Sequence, residues 1–174
     1  MHVLVATDGK LDPAAASDFT KRLAGPDGRA TILTVVEVPR AFLQEMRSQW
    51  GAAPSHGVIA DDEYVETPAV IQDAPFGWPG DDALIERYLH DKQEERCTPI
   101  SALLNEAGVD TNCRVVDDEN VASSIISHAQ EIGADVIVIG SHGQGVFQGL
   151  LGSTSTKLVR RSPTPVLLIR HDGG

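Results

Sequence analysis

Apolar residues along this chain fall into short unbroken runs, and helix-spaced patterns lie between them. Val3-Leu4-Val5-Ala6-Thr7, the Ile32, Leu33, Val35, Val36 and Val38 set within 30–38, Val136 to Ile139, and Val166 to Ile169 show no polar alternation. A strand covered on both faces reads this way, because neither set of alternate side chains meets water. Asn112 to Val116 adds a shorter strand. Asp12-Pro13 supplies a cap and a first-turn proline for a helix over Ala14 to Ala24, and Gly25-Pro26 stops it. Helical spacing returns over Asp82 to Ala107, where Ile85, Leu89, Ile100, Leu103, Leu104 and Ala107 share a face and Pro99 is expected to bend or interrupt the helix. Val121 to Ile132, capped by Asp118 or Asn120, and Ser153 to Arg161 complete the helices. Strand and helix alternate, which predicts an α/β fold with a parallel sheet and right-handed crossovers.

Residues 40–82 break the pattern. Pro54, Pro68, Pro75 and Pro79, the acidic run Asp61-Asp62-Glu63 and scattered aromatics show no period, and the stretch is too long for an ordinary connection. It reads as an insertion, or alternatively as a lid over a ligand, within a single domain spanning 1–174. A chain of 174 residues with 41% hydrophobic content supports one sizeable core.

Charge narrows the classes of partner. A formal net charge of −11 disfavours nucleic acid and anionic membrane surfaces, which are bound by Lys and Arg neutralising phosphates. No apolar run approaches the roughly 20 residues that span a bilayer. His2 to Thr7 runs straight into Asp8-Gly9 without a leader pattern. Cys97 and Cys113 lie in unrelated segments without metal-ligand spacing, so neither a disulfide framework nor a zinc site is expected. A reducing cytoplasm is the expected location.

The candidate chemistry lies after the strand 136–139. Gly140, Gly143, Gly145, Gly149 and Gly152 form a glycine-rich loop that leads into the helix at Ser153. Glycine allows close backbone approach, and a helix start presents unpaired N–H groups and a positive dipole end, so the pair makes an anion site suited to phosphate. Ser153, Thr154, Ser155 and Thr156 add hydroxyls that can donate to phosphate oxygens or cap the helix. The same residues also suit a surface loop and a plain cap. Asp8 stands at the carboxyl end of the first strand, where open α/β sheets bind ligands, or it closes an Asx-turn with Gly9. A Walker A loop is excluded by its missing lysine, and a dinucleotide fold by the missing third glycine. No GxSxG elbow surrounds Ser141 or Ser153, and His142 reads as a packing or hydrogen-bonding residue of the loop.

These residues resemble the C-terminal signature of the universal stress protein family, in which Gly, two residues, Gly, nine residues and Gly-Ser or Gly-Thr hold the phosphates and ribose of ATP. Gly140-Ser141-His142-Gly143 matches its start and Gly152-Ser153 its end, with eight residues, Gln144 to Leu151, between them instead of nine. VLVATDG and LTVVEVP resemble the family's first two strands. Asp117-Asp118-Glu119 stands where the family commonly has glycine and proline, and would repel phosphate if turned inward or complement the helix dipole if turned outward.

The resemblance implies a three-layer α/β/α sandwich with strand order 3-2-1-4-5. It also implies an ATP site, with Mg or Mn as a possible companion and AMP or no ligand as the alternative. Asp8 would lie by the nucleotide and the main chain of Val35 would meet the adenine. Ala6, Thr7, Ile139, Gly140, His142, Gly143, Gly152, Ser153, Thr154 and Ser155 complete the implied site. The implied function is regulatory, in the cytoplasmic stress response, with at most slow hydrolysis and no catalytic residue assigned. No phosphate-binding lysine or arginine finger is evident near the loop, and Lys157, Arg160 and Arg161 suit the C-terminal dipole of the last helix. A homodimer through Val166 to Ile169 is implied as well. The competing expectation is a nucleotide-free interaction module of the same fold.

Overall fold

β1 (His2–Ala6) is the middle strand of a five-stranded sheet in a computed structural model that describes residues 1–39, 41, 43–45, 80–141 and 151–170. It pairs in parallel with β2 (Arg29–Val36) on one side and β4 (Val136–Gly140) on the other. β3 (Asp110–Asp117) lies outside β2 and β5 (Val166–Ile169) outside β4, so the order is β3-β2-β1-β4-β5. This is the parallel α/β fold and the strand order that the resemblance implied.

The unbroken apolar runs follow from cover on both faces. Val3 and Val5 join Ile32 and Val138 in one core, with Ala16 from α1 (Pro13–Ala24) and Ile100 and Leu104 from α3 (Thr98–Glu106). Leu4 and Ala6 point the other way, into a core with Ile137, Ile125 from α4 (Val121–Glu131) and Leu158 from α5 (Ser153–Arg161). Val3, Leu4 and Val5 are each fully buried. Burial of one such side chain contributes about 1.5–3 kcal/mol, so a polar residue at either parity of β1 would cost the whole contribution of its position.

The long helix expected over 82–107 is two helices, α2 (Asp81–Arg96) and α3, that meet at Cys97. Pro99 sits in the first turn of α3, where an α-helix has no intrahelical partner for the missing N–H. The long helix is thus interrupted just before it, one of the two outcomes expected, and the proline serves the start of the next helix. β3 runs longer than its apolar stretch because it pairs along all of β2, from Arg29 with Asp110 to Val36 with Asp117. Asp12 caps α1 by accepting from Ala15 N at 2.6 Å. Asn120 caps α4, accepting from Ser123 N at 3.4 Å, and Asp118 in turn accepts from Asn120 N at 2.7 Å.

His2 ties the other end of β1 to its neighbours. Its Nδ1 is 3.1 Å from the Ile132 carbonyl, which can only accept, so Nδ1 carries the proton and Nε2 accepts from the Thr31 hydroxyl at 2.9 Å. Burial first, and the charge of Arg29 second, hold its pKa below the ordinary histidine value, in keeping with this neutral tautomer.

The chain divides into two compact units. Met1–Glu37 with Tyr88–Gly174 carries the whole sheet, and Val38–Arg87 forms the other. The insertion and lid readings of 40–82 fall almost wholly outside the described residues. Among the described residues no helix is long and apolar enough to cross a membrane.

Candidate functional site

The chain leaves β1 toward β2 on one side of the sheet and leaves β4 toward β5 on the other. Their carboxyl ends therefore open a crevice between the two departing loops, the position at which open α/β sheets bind ligands. A cleft lies there.

One wall comes from the end of β1. Thr7 is held from two sides, its N–H donating to Leu33 O at 3.0 Å and its carbonyl accepting from the Thr34 hydroxyl at 2.9 Å. Gly9 N donates to Thr7 Oγ1 at 3.0 Å, closing a tight turn. Gly9 has a φ of +89°, and a Cβ on it would stand 3.0 Å from Arg96 Cγ, so the turn needs glycine on both counts. Asp8 makes the local turn as well as lining the cleft: Oδ1 accepts from Lys10 N at 3.1 Å, and Oδ2 is 4.0 Å from Lys10 Nζ. Its Asx-turn partner is Lys10, one residue beyond the Gly9 expected.

The opposite wall is the start of α5. Gly152 is its buried N-cap and donates to Ser141 O at 3.0 Å, while Thr156 N returns to Gly152 O at 2.9 Å. Ser155 Oγ donates to Gly140 O at 2.8 Å, which straps the helix to the end of β4. As a donor that hydroxyl is committed, so Ser155 offers a ligand its backbone N–H. The N–H groups at 153–155 belong to the first turn, which has no carbonyls behind it to accept them, and no side chain caps this helix. A partial positive charge therefore lines the cleft beside the Ser153 and Thr154 hydroxyls.

Between the two walls runs an apolar slot of Leu33, Val35, Val121, Ile125 and Ile139. Ala6, Thr7, Asp8, Val35, Ile139, Gly140, Gly152, Ser153, Thr154 and Ser155 are thus brought to one cleft. His142 and Gly143 lie outside the described residues, as does most of the shortened loop. Asp117, Asp118 and Glu119 do not line the cleft. Asp118 turns back to its own helix cap, which is the outward alternative for the acidic turn.

Sequence reasoning passed over two cations. Lys10 and Arg170 both line the cleft, alongside the hydroxyls and N–H groups of the helix start. Each follows a sheet strand at its carboxyl end, Lys10 in the loop after β1 and Arg170 directly after β5, and that placement was the available signal. Ile125 was legible too, since it lies four residues from Val121 on one face of α4. Among the described residues no three His, Cys, Asp or Glu side chains come together as metal ligands.

Several known proteins are similar to this chain. Over 81 residues the chain is 38% identical to the stress response protein NhaX of Bacillus subtilis (strain 168), a match that covers 46% of this chain. The chain spans about half of that relative, 48% of its length. The fold is similar to that of the universal stress protein from Archaeoglobus fulgidus solved in complex with dAMP (TM-score 0.51, 18% identity, covering 97% of each chain). It is also similar to that of a universal stress protein family protein from Arabidopsis thaliana solved with AMP bound (TM-score 0.53, 15% identity, covering 99% of this chain and 93% of the other). The universal stress protein family model matches residues 1–170, a span that takes in every strand of the sheet and both walls of the cleft, and the chain belongs to that family.

Proposed function

We propose that the cleft binds an adenine nucleotide, with ATP as the preferred guest, and that the protein is a nucleotide-responsive regulator of the stress response. The observation that carries this reading is the meeting of an apolar slot and an uncapped helix start in one crevice. A flat base fits between Val35, Val121 and Ile125, and phosphate oxygens fit the N–H groups at 153–155. The complexes of the two structural neighbours with dAMP and AMP support the ligand class. Lys10 and Arg170 favour the longer, more negative phosphate chain of ATP over that of AMP. A divalent cation would arrive with the phosphates, whose oxygens supply part of its ligand set. Hydrolysis is expected to be slow, since Asp8 and Asp12 each turn back to a backbone N–H of their own segment instead of orienting a water toward phosphate.

Calorimetric titration with magnesium and ATP, repeated with AMP, tests the reading. Wild type should bind ATP more tightly than AMP. Ser153→Ala should weaken ATP binding by about 0.5–3 kcal/mol, the cost of one hydroxyl-to-phosphate hydrogen bond. Binding of neither nucleotide would sink the proposal and favour a nucleotide-free module.

Assembly through β5 belongs to the same reading. β5 is an edge strand, and Val166, Leu167 and Leu168 are only half-buried. Unpaired edge N–H and C=O groups beside apolar side chains suit pairing with a second copy. Light scattering at micromolar concentration should give a dimer that Leu167→Pro dissociates. A monomeric wild type, or a dimer that survives the proline, would remove β5 as the interface.

A further inference from the structure

Cys97 and Cys113 lie in segments that look unrelated along the chain, yet the fold packs both against one core: Cys97 Sγ lies 3.5 Å from Thr34 Oγ1 on β2, and Cys113 sits on the neighbouring strand opposite Ile32, within hydrogen-bonding reach of Cys97. Cys97 is fully buried at the junction of α2 and α3. It is the N-cap residue of α3, and its side chain makes no capping bond. Cys113 is half-buried on β3, an edge strand, opposite Ile32 of β2. Both are free thiols. Ser101, one turn into α3, donates its hydroxyl to Thr98 O at 3.1 Å.

We propose that Cys97 and Cys113 form a redox modification site, in which a peroxide oxidises Cys113 and Cys97 then closes a disulfide between α3 and the edge of the sheet.

The two thiols suit different steps. The Cys97 hydrogen bond lowers the Cys113 pKa, against the opposing effects of burial and Glu94. Cys113 is therefore the thiol of the pair that ionises first, and it lies on the edge strand of the sheet. Sharing with Cys113 first, and burial second, push the Cys97 thiol up, so Cys97 keeps its proton. Cys97 donates that proton to Thr34 Oγ1 at 3.5 Å, with the Cys113 sulfur as its other partner.

The Cys113 thiolate attacks one oxygen of hydrogen peroxide. The O–O bond breaks, hydroxide leaves, and Cys113 becomes a sulfenic acid. Cys97 sulfur then displaces the hydroxyl from Cys113 sulfur, and the Cys97 proton departs with that hydroxyl as water. Counting the proton that Cys113 gave up earlier, two thiols and one peroxide become one disulfide and two waters. The sulfurs must close from hydrogen-bond contact to about 2.05 Å, a movement on the order of 1–2 Å. Cys97 sits in the break between two helices, the place on this face with the least helical backbone to disturb. The disulfide does not depend on what the cleft binds, although Thr34, the other partner of Cys97, supports the cleft through Thr7 O.

Full-length protein, reduced and freed of reductant, is treated with hydrogen peroxide, and its remaining thiols are alkylated and weighed intact. Wild type should lose both thiols with the mass of two hydrogens. It should yield one cross-linked peptide joining Cys97 to Cys113 and recover both thiols with dithiothreitol. Cys97→Ser should instead hold Cys113 as a sulfenic acid that dimedone traps. Thiols that stay alkylatable, oxidation of Cys113 to sulfinic acid in wild type without a cross-link, or a disulfide between two copies would each overturn the proposal. The wild-type measurement stands even if the serine variant folds poorly.

Discussion

Gly152→Val is expected to weaken adenine nucleotide binding at least about 100-fold, some 3 kcal/mol, by removing charge-assisted phosphate bonds of about 1.5–3 kcal/mol each. The reason is steric. Gly152 has φ −60° and ψ 158°, an extended conformation that any residue adopts, so backbone strain plays no part. Its N–H bond to Ser141 O would survive the substitution. What changes is the space beside the first-turn N–H groups of α5, where a branched side chain would stand on a buried position that lines the cleft. Titration with magnesium and ATP reads the loss, and thermal melting without ligand shows whether the sheet is intact. An affinity within threefold of wild type, on a folded variant, would mean that phosphate does not sit at this helix start. The companion change Gly143→Val has only the sequence behind it, since Gly143 lies outside the described residues.

Leu158→Ala is expected to carry the largest stability loss on the cleft side, about 2–5 kcal/mol, from lost transfer energy and the cavity left behind. α5 has nine residues, too few to persist in water on helix propensity alone. Leu158 is fully buried in the core with Leu4, Ile125 and Ile137, whereas the next residue, Val159, is 50% exposed. The helix that lines the cleft is thus pinned largely through one side chain. Urea unfolding should show the midpoint drop, while Leu158→Met, which nearly conserves volume, should cost less than about 1.5 kcal/mol. An alanine variant within about 1 kcal/mol of wild type would show that α5 is held by its ties to β4 instead, Ser155 to Gly140 O and Gly152 to Ser141 O.

Local composition is enough to find the strands, because a run such as Val3-Leu4-Val5 or Val136 to Ile139 has to be covered on both faces wherever it goes. It is enough as well to place Asp8 and the Gly140 to Ser155 stretch at strand ends, since each follows directly on such a run. The strand order came from the family resemblance, because the alternation of strand and helix admits other parallel orders. Choices between local alternatives needed the fold. Asp118 and Asn120 are equally good caps on paper, and only the direction of the chain leaving β3 makes Asn120 the cap and Asp118 its support. Pro99 reads as bending or interrupting one helix, and only the fold shows that it interrupts: α2 ends at Arg96 and α3 starts at Thr98, with the proline in its first turn. Lys10 and Arg170 could be placed after strands from the sequence, but their meeting at one cleft could not, and the Cys97–Cys113 contact had no signal at all. Each meeting depends on which strand ends or elements become neighbours across the sheet, and side chains that are far apart in sequence carry no local trace of a contact made through strand order and register.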